Sequence, residues 1–330
     1  MHQFFGTLPA GSSASLYTIS CGRLSADITD FGAALVALRV DGTDVVLGYD
    51  DAEGYRCNDG FLGAVVGRNA NRIQGSCFPL NGQTVRLTPN EGENNLHSGP
   101  DSFNLRLWTP VLETASSLCL SLDSPDGDQG FPGHASIRVT YTVEQDALTI
   151  SYDAVCDRDT VFNFTNHAYF NLFGEDRADR AMEQQLQLPG AWFNPDDAQN
   201  IPTGEQRSVE GTPFDFRTAK ALGRDIGEDY EPLHLQGGYD HNFEAARPVA
   251  AVLRNPETGL SMTVSTTCPG IQVYTANFLD VTGKQGHRYP RRSGVALETQ
   301  FAPNSVNHPE WPQPFTKAGQ PYHSETRFQF

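Results

Sequence analysis

The sequence predicts an all-β fold, one large antiparallel β-sandwich that spans residues 1–330 as a single domain. Apolar and polar residues alternate along many short runs, as they do in strands with one buried face. Glycine and proline are abundant, with 31 and 21 residues among 330, which favours frequent turns. Helical spacing of apolar residues is nearly absent. We therefore expect roughly twenty or more short strands in one sandwich.

Three hairpins and a terminal strand can be placed in chain order. Asp41-Gly42 and Asn81-Gly82 each separate two apolar runs, and both dipeptides tolerate the positive φ that tight hairpin turns require. Residues 137–143 and 148–154 both alternate around a short polar turn, which predicts a third hairpin. The last nine residues, YHSETRFQF, alternate again and predict a closing strand.

Two segments depart from the strand pattern. Residues 176–187 carry Ala178, Met182 and Leu186 at helical intervals, which predicts a helical turn or two. Residues 191–238 are rich in proline, glycine and aspartate. The same stretch also holds four large aromatic residues, Trp192, Phe193, Phe214 and Phe216. A flexible linker would lack such residues, so we expect long loops packed over a sheet face.

Composition excludes several classes of partner. Lys and Arg number 23 against 40 Asp and Glu, and the resulting net charge of −17 repels nucleic acid and anionic lipid. No apolar run is long enough to span a membrane. The first twenty residues show no secretory signal, which favours a cytoplasmic location. The six cysteines fit no metal-binding spacing, and we expect no metal.

The first candidate site is GRNANRIQG at residues 67–75, followed by His97 in NNLHSGP. Arg72 presents a planar fork of donors that is always charged, and Asn71 adds an amide. An arginine beside a turn also fits a surface ion pair, so both interpretations stand for Arg72.

The second candidate is His167, which lies between aromatic residues and asparagines in FTNHAYFNL. A histidine in an apolar strand is often a hydrogen-bonded core residue. Its ordinary pKa of about 6.5 also suits proton transfer near neutral pH.

Three further polar residues lie in segments of strand character. Asp240 follows two glycines and a tyrosine, where it either stabilises a turn or accepts hydrogen bonds from sugar hydroxyls. Gln272 is flanked by Ile271 and Val273, so its amide must find buried partners. Glu298 stands in the apolar run GVALETQF. Burying a carboxylate is costly unless it is paired or functional, which makes Glu298 the best candidate for a base.

Seven strings in order along the chain resemble the aldose 1-epimerase (galactose mutarotase) family. They are GRNANRI, NLHSG, TNHAYFNL, IPTGE with GTPFDF, GYDHNF, PGIQVYTANF and LETQFAPNSVNHP. The resemblance runs from about Ser15 to Phe330 and implies the family's large antiparallel β-sandwich. One departure is visible, because the family usually shows His-Gly-Gly where this chain has His97-Ser98-Gly99.

The resemblance also implies a role for each candidate. Glu298 matches the general base and His167 the general acid of anomer exchange. Six residues are implied in sugar binding: Asn71, Arg72, His97, Tyr169, Asp240 and Gln272. Tyr169 lies two residues after His167, so on a strand it shares the same face and is expected to line the cleft.

The implied reaction interconverts the α and β anomers of free hexoses such as galactose and glucose. The base removes the C1 hydroxyl proton while the acid protonates the ring oxygen, and neither a metal nor a redox cofactor is required. His167 must be protonated to act as acid, which a nearby Glu298 favours unless the pair is heavily desolvated. The pairing predicts a bell-shaped pH–rate profile.

Other functions compete with this one. Asp240 and Glu298 could serve a glycoside hydrolase, and a β-sandwich could be a non-catalytic sugar-binding module. A hexose-phosphate 1-epimerase of the same superfamily would need basic residues near the site. The only dense basic run is Arg288, Arg291 and Arg292. We expect a small-molecule aldose as partner, and a monomer or homodimer.

Overall fold

The structure is a computed structural model that describes residues 2–9 and 11–330; Met1 and Ala10, which the predicted domain includes, lie outside that description. Thirty strands account for its regular secondary structure almost entirely. In chain order they are β1 (His2–Thr7), β2 (Ser13–Cys21), β3 (Leu24–Thr29), β4 (Leu35–Val40), β5 (Thr43–Asp44), β6 (Val65–Val66), β7 (Arg72–Ile73), β8 (Cys77–Leu80), β9 (Gln83–Arg86), β10 (Asn95–Leu96), β11 (Thr109–Glu113), β12 (Ser117–Ser124), β13 (Ala135–Val143), β14 (Ala147–Cys156), β15 (Thr160–Val161), β16 (Thr165–Asn166), β17 (Tyr169–Phe170), β18 (Gln185–Gln187), β19 (Trp192–Phe193), β20 (Arg207–Ser208), β21 (Lys220–Ala221), β22 (Asp240–Glu244), β23 (Ala251–Arg254), β24 (Ser261–Thr266), β25 (Gly270–Tyr274), β26 (Val281–Thr282), β27 (Arg288–Tyr289), β28 (Val295–Gln300), β29 (Phe315–Thr316) and β30 (Tyr322–Gln329).

The helices are all short. Two are α-helical, α1 (Ala52–Arg56) and α2 (Glu231–Gln236). Six are 3-10 turns: Gln74–Ser76, Phe103–Leu105, Asp128–Gly130, Ala178–Glu183, Lys284–Gly286 and Ser305–Asn307. Within residues 2–9 and 11–330, no helix is long and apolar enough to cross a lipid bilayer.

Three antiparallel sheets form the sandwich. The nine-stranded sheet has the order β11-β12-β13-β14-β30-β24-β23-β18-β21, the six-stranded sheet β17-β28-β25-β22-β19-β20, and the five-stranded sheet β1-β2-β3-β4-β5. One apolar cluster joins side chains from all three, including Ile19, Val139 and Val273. Tyr141 of the nine-stranded sheet crosses this core and donates its hydroxyl to the Ala33 carbonyl at 2.6 Å. The prediction of an all-β sandwich is confirmed.

The predicted hairpins are present because the alternation in sequence matches the two faces of the sheet. Along β13 the buried positions are every second residue, and β14 pairs with it in register from Ala135–Cys156 to Val143–Leu148. Asp41-Gly42 joins β4 to β5, and Asn81-Gly82 joins β8 to β9. The C-terminal run forms β30, which pairs with β14 and β24.

The two irregular segments follow their predictions with one correction each. Ala178–Glu183 makes two turns of 3-10 helix, but Leu186 belongs to strand β18 and not to the helix. Within residues 191–238, Trp192 and Phe193 form strand β19 of the six-stranded sheet and do not lie in a loop. The loop residue Phe214 does pack on the sheet face, because its ring stacks on Phe193 at 4.2 Å and contacts Phe243.

Candidate active site

The six-stranded sheet has one apolar face and one polar face, and the polar face positions the candidate site. Asp240 pairs with Tyr274, whereas Asn242 pairs with Gln272, which in turn pairs with Glu298. Residues directly opposite one another, and those two apart along a strand, share a face. These five side chains therefore lie together. Neighbouring residues on the same strands, Phe243, Ile271, Val273 and Leu297, point the opposite way, into the sandwich core.

His167 reaches this polar face from the edge of the same sheet. Strand β17 pairs with β28, with Tyr169 opposite Ala296. Just before it, the His167 amide donates to the Ala64 carbonyl at 2.9 Å, and its carbonyl accepts from Gly63 at 3.0 Å. Both backbone groups of His167 are therefore fixed, which sets the direction of its imidazole.

A small antiparallel ladder brings the segment of Asn71 and Arg72 next to the segment of His97. Strand β7 pairs with β10, with Arg72 opposite Leu96, so Asn71 and His97 become neighbours although 26 residues separate them. The Asn304 amide donates to the Arg72 carbonyl at 2.7 Å. The loop that follows Glu298 thus anchors the strand that carries Arg72.

These elements enclose a cavity of about 200 Å³. Its walls are formed by Asp59, Gly60, Phe61, Asn71, Arg72, Leu96, His97, His167, Tyr169, Asn200, Asp240, Tyr274, Phe278 and Glu298. Seven of the eight predicted site residues are among them. The eighth, Gln272, lies behind Asp240, and its Nε2 donates to Asp240 Oδ1 at 2.8 Å.

Glu298 and His167 face each other in this cavity. Nε2 of His167 lies 3.5 Å from Oε1 of Glu298, and the two side chains are 7% and 2% exposed. Burial lowers the pKa of His167 to about 4. Burial, followed by the nearby charge of Asp240, raises the pKa of Glu298 well above its usual range. The pair is thus heavily desolvated, which is the case in which Glu298 is not expected to keep His167 protonated, and burial favours the neutral imidazole.

The surroundings of His167 explain its desolvation. Four rings surround the imidazole, with centroid distances of 5.0 Å for Tyr169, 5.7 Å for His97, 6.0 Å for Phe61 and 6.2 Å for Tyr274. These rings exclude water from the imidazole. The lost hydration disfavours the charged form of the ring.

His97 has a defined tautomer. The Asn71 amide donates to Nδ1 of His97 at 3.1 Å, so Nδ1 is an acceptor and the proton of the neutral ring is on Nε2. Burial, and then the proximity of His167, lowers the pKa of His97 well below its usual value. His97 is therefore a neutral hydrogen-bond donor in the cavity wall.

Arg72 is ion-paired, but it is buried rather than on the surface, and it also lines the cavity. Its Nε and Nη2 donate to the two carboxylate oxygens of Glu91 at 2.6 and 2.8 Å. Burial is the largest single influence on the pKa of Arg72 and lowers it, but the Glu91 hydrogen bonds together with the charges of Asp240, Glu91 and Asp196 raise the pKa overall. Nη1 remains to donate to a ligand. Asp240 faces the same space, and burial raises its pKa.

Ser98 has a structural role that a glycine could not fill. Its hydroxyl accepts from the Asn69 amide at 2.8 Å and donates to the Asn69 carbonyl at 3.0 Å. These bonds tie the His97 loop to the loop of Asn71 and Arg72. Asn71, His97 and Ser98 all have positive φ, at 62°, 50° and 76°. The cross-link therefore holds backbone conformations that L-residues rarely adopt.

Sequence reasoning missed seven of the lining residues: Asp59, Gly60, Phe61, Leu96, Asn200, Tyr274 and Phe278. Only Tyr274 carried a usable signal, since it alternates with Gln272 along β25. Leu96 reaches the site through the pairing of β10 with β7, and the others do so through loop contacts. Gly60, for example, accepts the Tyr169 hydroxyl at 2.8 Å, which ties the loop of residues 59–61 to the sheet. Tyr169 thus lines the cleft as expected.

The basic run does not form part of the cavity wall. Arg288 pairs with Asp280, and Arg291 and Arg292 both donate to the Gly237 carbonyl. Arg72, itself held by Glu91, is the one arginine in the wall. The phosphate-binding alternative is not favoured. In the part of the chain that the structure describes, no group of three or more His, Cys, Asp or Glu is placed to hold a metal ion.

Comparison with known proteins identifies the family of this chain. The Aldose 1-epimerase family model matches residues 15–329. Galactose mutarotase from Bos taurus is 39% identical over 99% of this chain and 97% of its own, and aldose 1-epimerase from Escherichia coli K12 is 39% identical over 92% and 91%. A GalM/aldose epimerase homologue from C. elegans superposes with a TM-score of 0.88 at 31% identity, covering 96% of this chain and 98% of its own. The chain belongs to the aldose 1-epimerase family.

Proposed function

We propose that Glu298 and His167 carry the proton transfers by which this chain, an aldose 1-epimerase, interconverts the α and β anomers of free hexoses. The supporting observation is their separation of 3.5 Å within a cavity lined by hydrogen-bonding side chains. The C1 hydroxyl oxygen and the ring oxygen are bonded to the same carbon. Two groups that exchange protons with them must therefore lie close together on one side of the sugar.

The reaction balances with proton transfers alone. Glu298 takes the proton of the C1 hydroxyl, His167 protonates the ring oxygen, and the bond between C1 and the ring oxygen breaks to give the open aldehyde. Rotation about C1–C2 presents the other face of the carbonyl. Ring closure then reverses both transfers, and no metal or cofactor is needed.

The pKa shifts of His167 and Glu298 are compatible with these roles, because the roles depend on how many protons the pair holds. Ring opening starts with the proton on His167 and ends with it on Glu298, so the pair holds one proton throughout. Burial favours the arrangement with Glu298 protonated and His167 neutral. That arrangement is the one that the pair has after the sugar ring has opened. A bound hexose must therefore shift the proton back to His167 before the ring opens, within the one-proton state.

The remaining wall residues suit a neutral polyol. Arg72 Nη1 and His97 Nε2 offer donors, and Asp240 offers acceptors. Gln272 acts on the sugar through Asp240, which it holds. Asn71 positions His97 through its backbone amide, and its side chain lines the cavity beside Arg72. Galactose and glucose, which differ only at C4, both fit this set of partners.

Polarimetry tests this proposal directly. Fresh α-D-galactose and α-D-glucose are followed with wild type and with Glu298→Gln, and the spontaneous rate is subtracted. One positioned proton-transfer group is worth about 10²–10⁴-fold, so Glu298→Gln should lose at least about 10² in kcat. Circular dichroism and thermal melting verify that the variant folds. Wild-type kcat in folded Glu298→Gln would overturn the assignment of the base.

We also propose that residues 1–330 form a single domain that acts in the cytoplasm as a monomer or homodimer. The apolar cluster that runs from Tyr17 to Phe328 supports one domain. Light scattering coupled to size exclusion distinguishes monomer from dimer, and cell fractionation tests the location.

A further inference from the structure

We propose that Gln300 is a positioning residue for Glu298, acting through buried water as the donor to a row of acceptor oxygens on the polar face of the six-stranded sheet. The inference rests on the proposed function, since it concerns how the base is held. It assigns a role to a residue that does not line the cavity.

The row is defined by strand register. Glu298, Gln272 and Asn242 are successive partners across β28, β25 and β22, and Gln300 lies two residues beyond Glu298 on the same face. All four side chains are at most 2% exposed. They therefore form one contiguous buried polar strip that extends from the cavity into the protein.

Five polar atoms of this strip have no hydrogen-bond partner among the described residues. They are Glu298 Oε2, Gln272 Oε1, Asn242 Oδ1, Gln300 Oε1 and Gln300 Nε2. Buried polar atoms are rarely left unpaired, because each costs roughly 1–3 kcal/mol. Because these five unpaired atoms lie in one strip, we look for a shared hydrogen-bond donor that pairs with several of them.

The orientation of the neighbouring amides is already fixed. Gln272 donates its Nε2 to Asp240 at 2.8 Å, and Asn242 donates its Nδ2 to Asn194 Oδ1 at 2.9 Å. The carbonyl oxygens of both amides are left without a donor, as is Oε2 of Glu298. The Nε2 group of Gln300 is the one unpaired side-chain donor among the four residues.

Space for such a contact depends on a glycine. Gly270 pairs with Gln300, and a Cβ added at residue 270 would lie 2.4 Å from Asn242 Oδ1. Because residue 270 lacks a side chain, the amides of Asn242 and Gln300 can approach each other. A water molecule can bridge groups of this kind when it has two to four polar partners.

The effect on catalysis follows from charge. A donor at Oε2 stabilises the carboxylate form of Glu298 and leaves Oε1 directed at His167. The titratable and charged groups that already face Glu298 are His167, Asp240, Arg72, Tyr169 and Tyr274. Among these, Arg72 alone lowers the pKa of Glu298, so a donor in the strip supplies stabilisation that the cavity side largely lacks.

The test compares Gln300→Met with a matched control, Gln236→Met. Gln236 is equally buried and its amide atoms are likewise unpaired, but it ends helix α2 and lies outside the strip. We expect Gln300→Met to lower kcat about 10–100-fold, the worth of a hydrogen bond to a charged group, with KM for galactose within about twofold. The alkaline limb of the pH–rate profile should move up by about one unit, and the acid limb should stay in place. Gln236→Met should leave both limbs unchanged.

A double variant separates positioning from general damage. If Gln300 acts through Glu298, adding Gln300→Met to Glu298→Gln should cause no further loss, whereas a merely structural effect would add. Should Gln300→Met fail to fold, Gly270→Ala fills the same space and should give the same shift. A high-resolution crystal structure of wild type must show a water-mediated contact from Gln300 to Glu298.

The outcomes distinguish this inference from the proposed function. Wild type that fails to accelerate mutarotation would overturn the function itself. Wild type that does accelerate it, together with a wild-type pH profile in folded Gln300→Met or Gly270→Ala, would overturn only the role of Gln300.

Discussion

The protonation state of His167 is the point at which the structure makes its sharpest prediction. Burial among aromatic rings lowers its pKa to about 4. At pH 6 a group with that pKa is about 1% charged, whereas an unperturbed histidine of pKa about 6.5 is about three-quarters charged. The contrast is large enough to measure on a single residue.

Selective ¹⁵N labelling of histidine gives the assay. Long-range ¹H–¹⁵N spectra distinguish neutral from charged rings, and the signals of His167 are assigned by their loss in His167→Gln. We expect a neutral ring from pH 8 down to about 5 and a midpoint near 4. The acid limb of kcat/KM should share that midpoint, because a second proton on the pair leaves no base. A midpoint between 6 and 7 in folded protein would refute the reasoning.

The same shift has a consequence for stability. The folded pKa lies below the unfolded value, so the unfolded chain binds more protons between pH 6.5 and 4, and stability falls as the pH is lowered through that window. From pH 7 to pH 5 the contribution of His167 to that loss is about 2 kcal/mol. Thermal melts of wild type and His167→Gln over this range should therefore converge as the pH falls. Parallel curves would contradict the shift.

Three further predictions concern the framework of the site. Glu91→Gln removes the charge that holds the guanidinium of Arg72, so KM for galactose should rise several-fold with kcat little changed. Arg72→Lys cannot make the bidentate contact and should lose more, about 10–100-fold in kcat/KM. Ser98→Ala removes both bonds to Asn69 while keeping a positive φ, so it should lower the free energy of unfolding by about 1–3 kcal/mol. Ser98→Gly also removes the bonds, but glycine adopts a positive φ without strain, so this variant should lose less. Equal losses in denaturant titrations would count against the cross-link. Lys284 donates to Asp44 and to the Val36 and Val46 carbonyls away from the cavity, so Lys284→Met should cost about 3–5 kcal/mol in denaturant titrations while kcat stays at the wild-type value.

The fold could be predicted because its signals are local. Alternation along β13 and β14 is a property of consecutive residues, and Asp41-Gly42 and Asn81-Gly82 specify their turns by backbone preference alone. Leu186 shows the limit of such signals. Its spacing from Met182 fits a helix, but pairing with β21 and β23 makes it part of a strand.

The candidate site was predictable only in part. The polar residues of β25 and β28 stand out against apolar neighbours, so Gln272 and Glu298 could be identified. Loop residues such as Phe61 and Asn200 carry no such contrast, because only the tertiary fold brings them to the cavity. The pKa of His167 could not be foreseen either. Its sequence neighbours include Tyr169, but Phe61, His97 and Tyr274 come from three other segments.

The two faces of the six-stranded sheet connect stability with chemistry. Phe243, Ile271 and Leu297 bury apolar surface on one face, at roughly 1.5–3 kcal/mol for each side chain. This packing fixes the strand register and thereby the positions of Gln272 and Glu298 on the other face. Polar groups that would be costly in an ordinary core can be kept there because the opposite face stabilises the sheet. The same desolvation raises the pKa of Glu298 and lowers that of His167, so it reverses their usual order of acidity. The single proton of the pair therefore rests on Glu298 in the free site, and the proposed ring opening requires a bound sugar to move that proton to His167.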